Sequence, residues 1–182
     1  MNIAWEREEP TEVTKVGWRT IVTKKFKLPD GSMHEYATKE REDSHCIATV
    51  ALTADGKAVV ARQFRPGPEK ILYELPGGGV ETGEDWAAAA ARELLEETGY
   101  EAGEIEALGD VYKDAYTNTA WHYFMATNCT LHPEGAKPDE REFIEVCLIA
   151  VDELIENAKT AKMTDPEGVF LAYDRLRELA EK

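Results

Sequence analysis

The sequence predicts an α/β or α+β domain built on a mixed sheet, with an antiparallel β extension ahead of it. Three observations point there. Short runs rich in β-branched and aromatic residues are separated by turn signals such as Pro29-Asp30-Gly31-Ser32 and Ala54-Asp55-Gly56. Longer segments carry apolar residues at helical spacing. The two kinds of segment alternate along the chain, which favours a sheet covered by helices.

In chain order, residues 13–28 (VTKVGWRTIVTKKFKL) read as one strand, and MHEYATKE after the Pro29–Ser32 turn as its return. CIATVALT and KAVVARQF, residues 46–53 and 57–64, flank Ala-Asp-Gly and read as a hairpin. Further strands are expected near 107–112, 121–129 and 142–150. Helices are expected at 84–98, 152–161 and 166–180. The last opens on Thr164-Asp165-Pro166-Glu167, which offers a capping box with Pro at the first helical position.

Composition narrows the function. The 182 residues suit one compact domain with a small extension, and 43% hydrophobic with 31% charged residues is ordinary globular usage. A net charge of −15, spread along the whole chain, argues against a nucleic-acid polymer as partner. A small anionic substrate stays open, because metal ions and a few arginines can reverse the sign within one pocket. The N-terminal MNIAWEREEPTEV has neither a basic n-region nor an apolar h-region, and no apolar run approaches a membrane span. Cys46, Cys129 and Cys147 share no metal-like spacing and read as thiols in a reducing cytoplasm.

One stretch stands apart: LPGGGVETGEDWAAAAARELLEETGY, residues 75–100. Thr82 or Gly83 is expected to cap its helix, and Gly99 to stop it in a left-handed conformation. Helical geometry places Ala87, Ala88, Ala90, Ala91, Leu94 and Leu95 on one arc of roughly 160°, suited to lying close on a sheet. Glu93, Glu96 and Glu97 fall on the other side with Arg92 at their edge. A charge run is ordinarily a solvated face, with Arg92 and Glu96 an ordinary i,i+4 pair. Glu93 and Glu97, one turn apart, can equally share a hard cation such as Mg²⁺.

The spacing of the whole segment decides between these. Gly78, Glu84, Arg92, Glu93, Leu94, Glu96, Glu97, Gly99 and Tyr100 follow the pattern G-x5-E-x7-R-E-U-x-E-E-x-G-U, U being apolar, with Tyr100 a mild departure. Seven fixed identities arise by chance on the order of 10⁻⁷ times per start position. The segment resembles the Nudix box. That resemblance implies an α/β/α sandwich, and a box helix whose glutamates hold two to three Mg²⁺ or Mn²⁺ ions against the diphosphate of a nucleoside diphosphate linked to another moiety. It implies Glu93, Glu97 and Glu96 as metal ligands, Glu84 in support, and Glu97 as central to catalysis. Arg92 orients the glutamates, and the Gly77 carbonyl joins the metal shell.

Beyond the box, VVARQFRPGPEKILYELPGG is similar to the segment preceding the box in the ADP-ribose and nucleotide-sugar diphosphatase branch. By that likeness Arg65 contacts the diphosphate, a structural salt bridge being its alternative. Glu74 joins the metal shell or pairs with a base, a plain strand-end carboxylate being the alternative. The general base of the branch lies on a late loop; in PDEREFIEVCLIAVDEL this points first to Glu142, then to Glu140. The Ser-Pro-Gly turn common after the box in ADP-ribose enzymes is replaced by Lys113-Asp114-Ala115-Tyr116-Thr117-Asn118, which leaves other nucleoside diphosphate sugars open. Trp5 and Trp18 read as core or interface residues, with stacking on the base from a partner subunit as the alternative. His122, in AWHYFMA, reads as a packed strand histidine with a substrate contact as the alternative, and Tyr116 reads similarly.

The expectation is therefore residues 1–43 as a β extension through which a homodimer forms, and 44–182 as a Nudix hydrolase domain. Its small-molecule substrate is ADP-ribose or a related nucleoside diphosphate sugar. Two alternatives remain: a Nudix hydrolase of coenzyme A or a dinucleoside polyphosphate, and a Nudix-like module that binds a nucleotide without turning it over.

Overall fold

The computed structural model describes residues 3–138 and 143–180. The chain divides into two compact units. The first comprises residues up to His45 together with Tyr112–Ala120, and the second comprises Cys46–Val111 and the chain from Trp121 onward.

The first unit is a three-stranded antiparallel sheet of β1 (Glu6–Val16), β2 (Arg19–Lys27) and β3 (Met33–Lys39), in that order. Residues 13–28 are thus not one strand. Gly17, at φ 61°, turns the chain, and Val16 pairs with Arg19 across the loop. Glycine takes that left-handed conformation without steric cost, which outweighs the β-branched residues on either side. The return strand β3 runs as expected, with Val22 opposite Thr38. Asn118 clasps the end of β3, donating to the Glu40 carbonyl at 2.7 Å and to Thr38 Oγ1 at 3.0 Å. Among the described residues, Val22 is the one fully buried apolar side chain of this unit.

Among the described residues, the second unit carries seven strands: β4 (His45–Thr53), β5 (Lys57–Arg65), β6 (Lys70–Glu74), β7 (Tyr100–Glu101), β8 (Glu104–Val111), β9 (Ala120–Leu131) and β10 (Glu145–Ala150). They form one mixed sheet in the order β10-β5-β4-β9-β7, with β6 on β5 and β8 on β9. The predicted β4–β5 hairpin is present, Gly56 sitting at φ 76° and the Thr53 hydroxyl accepting from the Lys57 N–H at 3.0 Å. Among the described residues, four helices complete the unit: α1 (Trp86–Thr98), α2 (Val151–Lys159), α3 (Pro166–Leu171) and α4 (Tyr173–Ala180).

Strand alternation sorts the core into two layers. Ile47, Ala51, Val59, Phe124 and Ala126 pack against Ala89, Ala90 and Leu94 of α1. Val50, Leu52, Val60, Tyr123 and Met125 pack on the other side against Leu154, Val169 and Leu176 of α2 to α4. The expected α/β/α sandwich is the fold. The C-terminal segment differs from expectation in that it forms two helices. Ala172 sits at φ −88°, ψ 0° between them, and Val169 and Leu176 are both buried in the core. The capping box does not form either, since Asp165 is buried and accepts from the Thr164 hydroxyl at 2.8 Å. Among the described residues no helix is long and apolar enough to cross a membrane.

Candidate active site

Strand β6 delivers Glu74 and then Leu75-Pro76, after which Gly77-Gly78-Gly79 runs beside β4. The Ile47 N–H donates to the Gly78 carbonyl and the Thr49 N–H to the Pro76 carbonyl, each at 2.9 Å. Two of these glycines are required by their neighbours. A Cβ on Gly77 would lie 2.8 Å from the Ala48 Cα, and one on Gly78 would lie 2.5 Å from a Glu93 carboxylate oxygen. The loop is therefore pressed between a strand backbone and the acidic helix.

Helix α1 starts later than expected. Asp85 is its cap, accepting from the N–H groups of Ala87 and Ala88 at 3.0 and 3.1 Å, in place of Thr82 or Gly83. A carboxylate meets the orphan donors of a helix start better than the alternatives here. Gly99 ends the helix at φ 75° as predicted, its N–H returning to the Leu95 carbonyl at 2.8 Å.

The face against the sheet is also corrected. Ala89, Ala90, Leu94, Glu97 and Thr98 are buried, whereas Ala88 is exposed. Glu97, expected opposite the sheet, is only 6% exposed because the glycine loop folds over it. Its Oε2 accepts from the Gly77 N–H at 2.9 Å.

Arg92 gathers the remaining acids. Its guanidinium donates to both oxygens of Glu84, to Glu93 Oε1, to Glu96 Oε2 and to the Gly79 carbonyl, over 2.8–3.2 Å. Glu84 in turn accepts from the Glu81 N–H at 2.9 Å. The hydrogen bonds from Arg92, then from Glu81, hold the Glu84 carboxyl below the usual range; those from Glu84, then Glu93, raise Arg92 further. These contacts close a cavity of about 370 Å³ whose walls include the glycine loop, Glu93, Glu96, Glu97 and Lys137.

Among the described residues, no three His, Cys, Asp or Glu side chains converge on a ready-made cage. The donors nevertheless fit a hard cation. They are all oxygen, they line one cavity, and Mg²⁺ takes only one or two carboxylates beside waters and phosphate oxygens. The Pro76, Gly78 and Gly79 carbonyls are each taken by a donor, and among the described residues none meets the Gly77 carbonyl.

Other predicted residues are placed as follows. Arg65, on the outer end of β5, makes a two-pronged ion pair with Glu74, which is 4% exposed and also accepts from Gln63 Nε2 at 3.3 Å. That pairing raises the Arg65 pKa, reinforced by the nearby Asp165 and Glu97 carboxylates. His122 is buried, bonds Asp110 Oδ1 through Nδ1 at 2.7 Å, and stacks on Trp86 with ring centroids 3.6 Å apart. Trp5, Trp18 and Tyr116 belong to the first unit. There Trp5 packs on Tyr36 at 5.2 Å between centroids, Arg19 lies over the Trp18 ring, and Tyr116 is exposed. Glu140 and Glu142 lie outside the described residues. Of the cysteines, Cys129 is buried and its thiol is pushed up to about 11 by desolvation.

Lys137 is a cavity residue that no motif marks. In the sequence it is one charge in an acidic loop, and only the packing of that loop on the helix end brings it to the site.

Comparison with known proteins follows the same lines. The model of the NUDIX domain matches residues 44–171. The chain is 30% identical over 155 residues to an ADP-ribose pyrophosphatase of Bacillus subtilis (strain 168), spanning 83% of this chain and 82% of that one. It is likewise 30% identical over 159 residues to a methanol dehydrogenase activator of Bacillus methanolicus, spanning 85% and 86%. A solved ADP compounds hydrolase shares the fold at a TM-score of 0.80, covering 98% of this chain and 97% of that one at 18% identity.

Proposed function

The chain belongs to the Nudix family, and on that premise we propose that it hydrolyses the diphosphate bond of ADP-ribose or a related nucleoside diphosphate sugar. The products are a nucleoside monophosphate and a sugar phosphate. The observation that carries this reading is the box helix laid against the glycine loop, so that Glu93, Glu96 and Glu97 line one cavity.

Glu93, Glu96, Glu97 and the Gly77 carbonyl would hold Mg²⁺ or Mn²⁺, in two to three copies. Bound there, the ions supply charge neutralisation and a water of lowered pKa. Arg92, braced by Glu84, holds the glutamates in register. Arg65 is the candidate for the diphosphate, exchanging part of its bond to Glu74 for phosphate oxygens. Glu142, or its near neighbour Glu140, takes the proton of the attacking water, a role supported by sequence position alone.

The first unit is proposed to pair with a second copy, since a thin sheet with, among the described residues, a single fully buried apolar side chain has little core of its own. Light scattering that gives a monomer at micromolar concentration removes this and the idea that Trp5 or Trp18 serves a neighbour's site. Tyr116, on the segment that replaces the Ser-Pro-Gly turn, is kept as a candidate substrate contact. A cytoplasmic setting is proposed from the cysteine usage. A hydrolysis screen over nucleoside diphosphate sugars, with product identification, tests the whole. Release of a nucleoside monophosphate is expected; binding without release supports a non-catalytic module instead.

A further inference from the structure

We propose that Lys137 is a substrate-binding residue of this site, pairing its ammonium with a non-bridging oxygen of the diphosphate. This rests on the diphosphatase reading and names a contact that the box does not contain.

The cavity is short of usable positive charge. Arg92 and Lys137 are the two basic residues among those lining it, against Glu81, Glu93, Glu96 and Glu97. A guanidinium has five N–H donors. Those of Arg92 are fully engaged by Glu84, Glu93, Glu96 and the Gly79 carbonyl. Arg92 therefore has no donor left for a phosphate unless it releases a carboxylate.

Lys137 is differently placed. Its backbone is fixed: its N–H donates at 2.8 Å to the Glu96 carbonyl, one of the orphan acceptors of the α1 end. The preceding turn is fixed too, since the His132 N–H donates to the Gly99 carbonyl at 2.8 Å and the Gly135 N–H to the His132 carbonyl at 3.0 Å. A Cβ on Gly99 would lie 2.6 Å from the Ala136 nitrogen, so the turn lies directly on the helix terminus. The Lys137 side chain, by contrast, is held among the described residues only by an ion pair with Glu134, and the two side chains are 68% and 62% exposed. Such a surface pair contributes little, so trading it for a phosphate costs little. A lysine's compact charge on a flexible stem suits that exchange. A rigid Cα and a movable ammonium at the rim of an acidic cavity are what an anion contact needs.

The test is calorimetric titration with the analogue of ADP-ribose in which methylene replaces the bridging oxygen of the diphosphate, in the presence of Mg²⁺. Lys137→Met should weaken binding about 10-fold, Lys137→Arg by less than about 3-fold, and Glu134→Gln should leave binding unchanged or tighter. An unchanged affinity in Lys137→Met overturns the proposal. Equal weakening in Lys137→Met and Glu134→Gln also overturns it, because then the pair is merely structural. So does a loss explained wholly by weaker Mn²⁺ binding, read separately by electron paramagnetic resonance. Wild-type protein that binds the analogue with the Lys137 dependence but releases no nucleoside monophosphate from ADP-ribose sinks the diphosphatase reading and leaves this contact standing. No binding at all sinks both.

Discussion

The buried Glu97 carboxylate accepts a hydrogen bond from the Gly77 N–H at 2.9 Å, joining the box helix to the glycine loop. One oxygen is thus spent on the fold, which fixes where the carboxylate sits in the cavity wall. Architecture and chemistry meet in that one side chain.

Glu97→Gln separates the two roles. The amide oxygen can still accept from Gly77, so the loop should keep its place, while the negative charge a cation requires is gone. Turnover is expected to fall by several orders of magnitude with the fold retained. Comparable activity at saturating Mg²⁺, with an unchanged circular dichroism spectrum, removes Glu97 from the metal ligands.

The two glycines before the helix should respond differently to alanine. At Gly77 the added carbon meets β4 backbone, which cannot move cheaply, so Gly77→Ala should cost about 1–3 kcal/mol of stability. At Gly78 it meets the end of the Glu93 side chain, which can swing aside. Gly78→Ala should therefore melt close to wild type yet need roughly 10-fold more Mg²⁺ for half-maximal activity, as when a group that orients a ligand is lost. Thermal melts and Mg²⁺ titrations of both variants check this, and identical behaviour in the two contradicts it.

Much of this was legible in the sequence, for local reasons. The box helix, its Gly99 stop and the Asp55-Gly56 hairpin each depend on a few adjacent residues. The sidedness of α1 was not, because Glu97 is buried by a loop that returns from another strand, and helical arc arithmetic knows nothing of that loop. Gly17 and Ala172 divide segments whose composition reads as continuous. Lys137 reaches the cavity only through backbone contacts to Glu96 and Gly99, which no spacing rule encodes. The sequence leaves Arg65 two partners, diphosphate or carboxylate, and in the folded chain its guanidinium rests on Glu74.

The base can be found by kinetics. If Glu142 activates the water, Glu142→Gln should lower kcat by about 10²–10⁴-fold with little change in KM or Mg²⁺ dependence. Glu140→Gln should be milder. A larger loss at Glu140 reverses the assignment, and no loss at either places the base within the box.

Acid should weaken the first unit through Glu42. Arg7 donates to both Glu42 oxygens, at 2.6 and 3.0 Å, and Lys24 lies 3.2 Å away. The hydrogen bond from Arg7 leads in lowering its pKa from 4.5 to about 2. A carboxylate depressed in the folded state contributes stability that is full above its unfolded pKa and is lost as pH falls through its folded one. The window is therefore from about 4.5 down toward 2. Glu42→Gln should melt below wild type at pH 7, and the gap should close as the pH drops through that window, for as long as the folded state persists. Because the side chain is 37% exposed, salt should also narrow the gap. Melting curves from pH 7 downward, at low and high salt, read both effects. A gap that stays constant with pH means the pair does not carry the stability assigned to it.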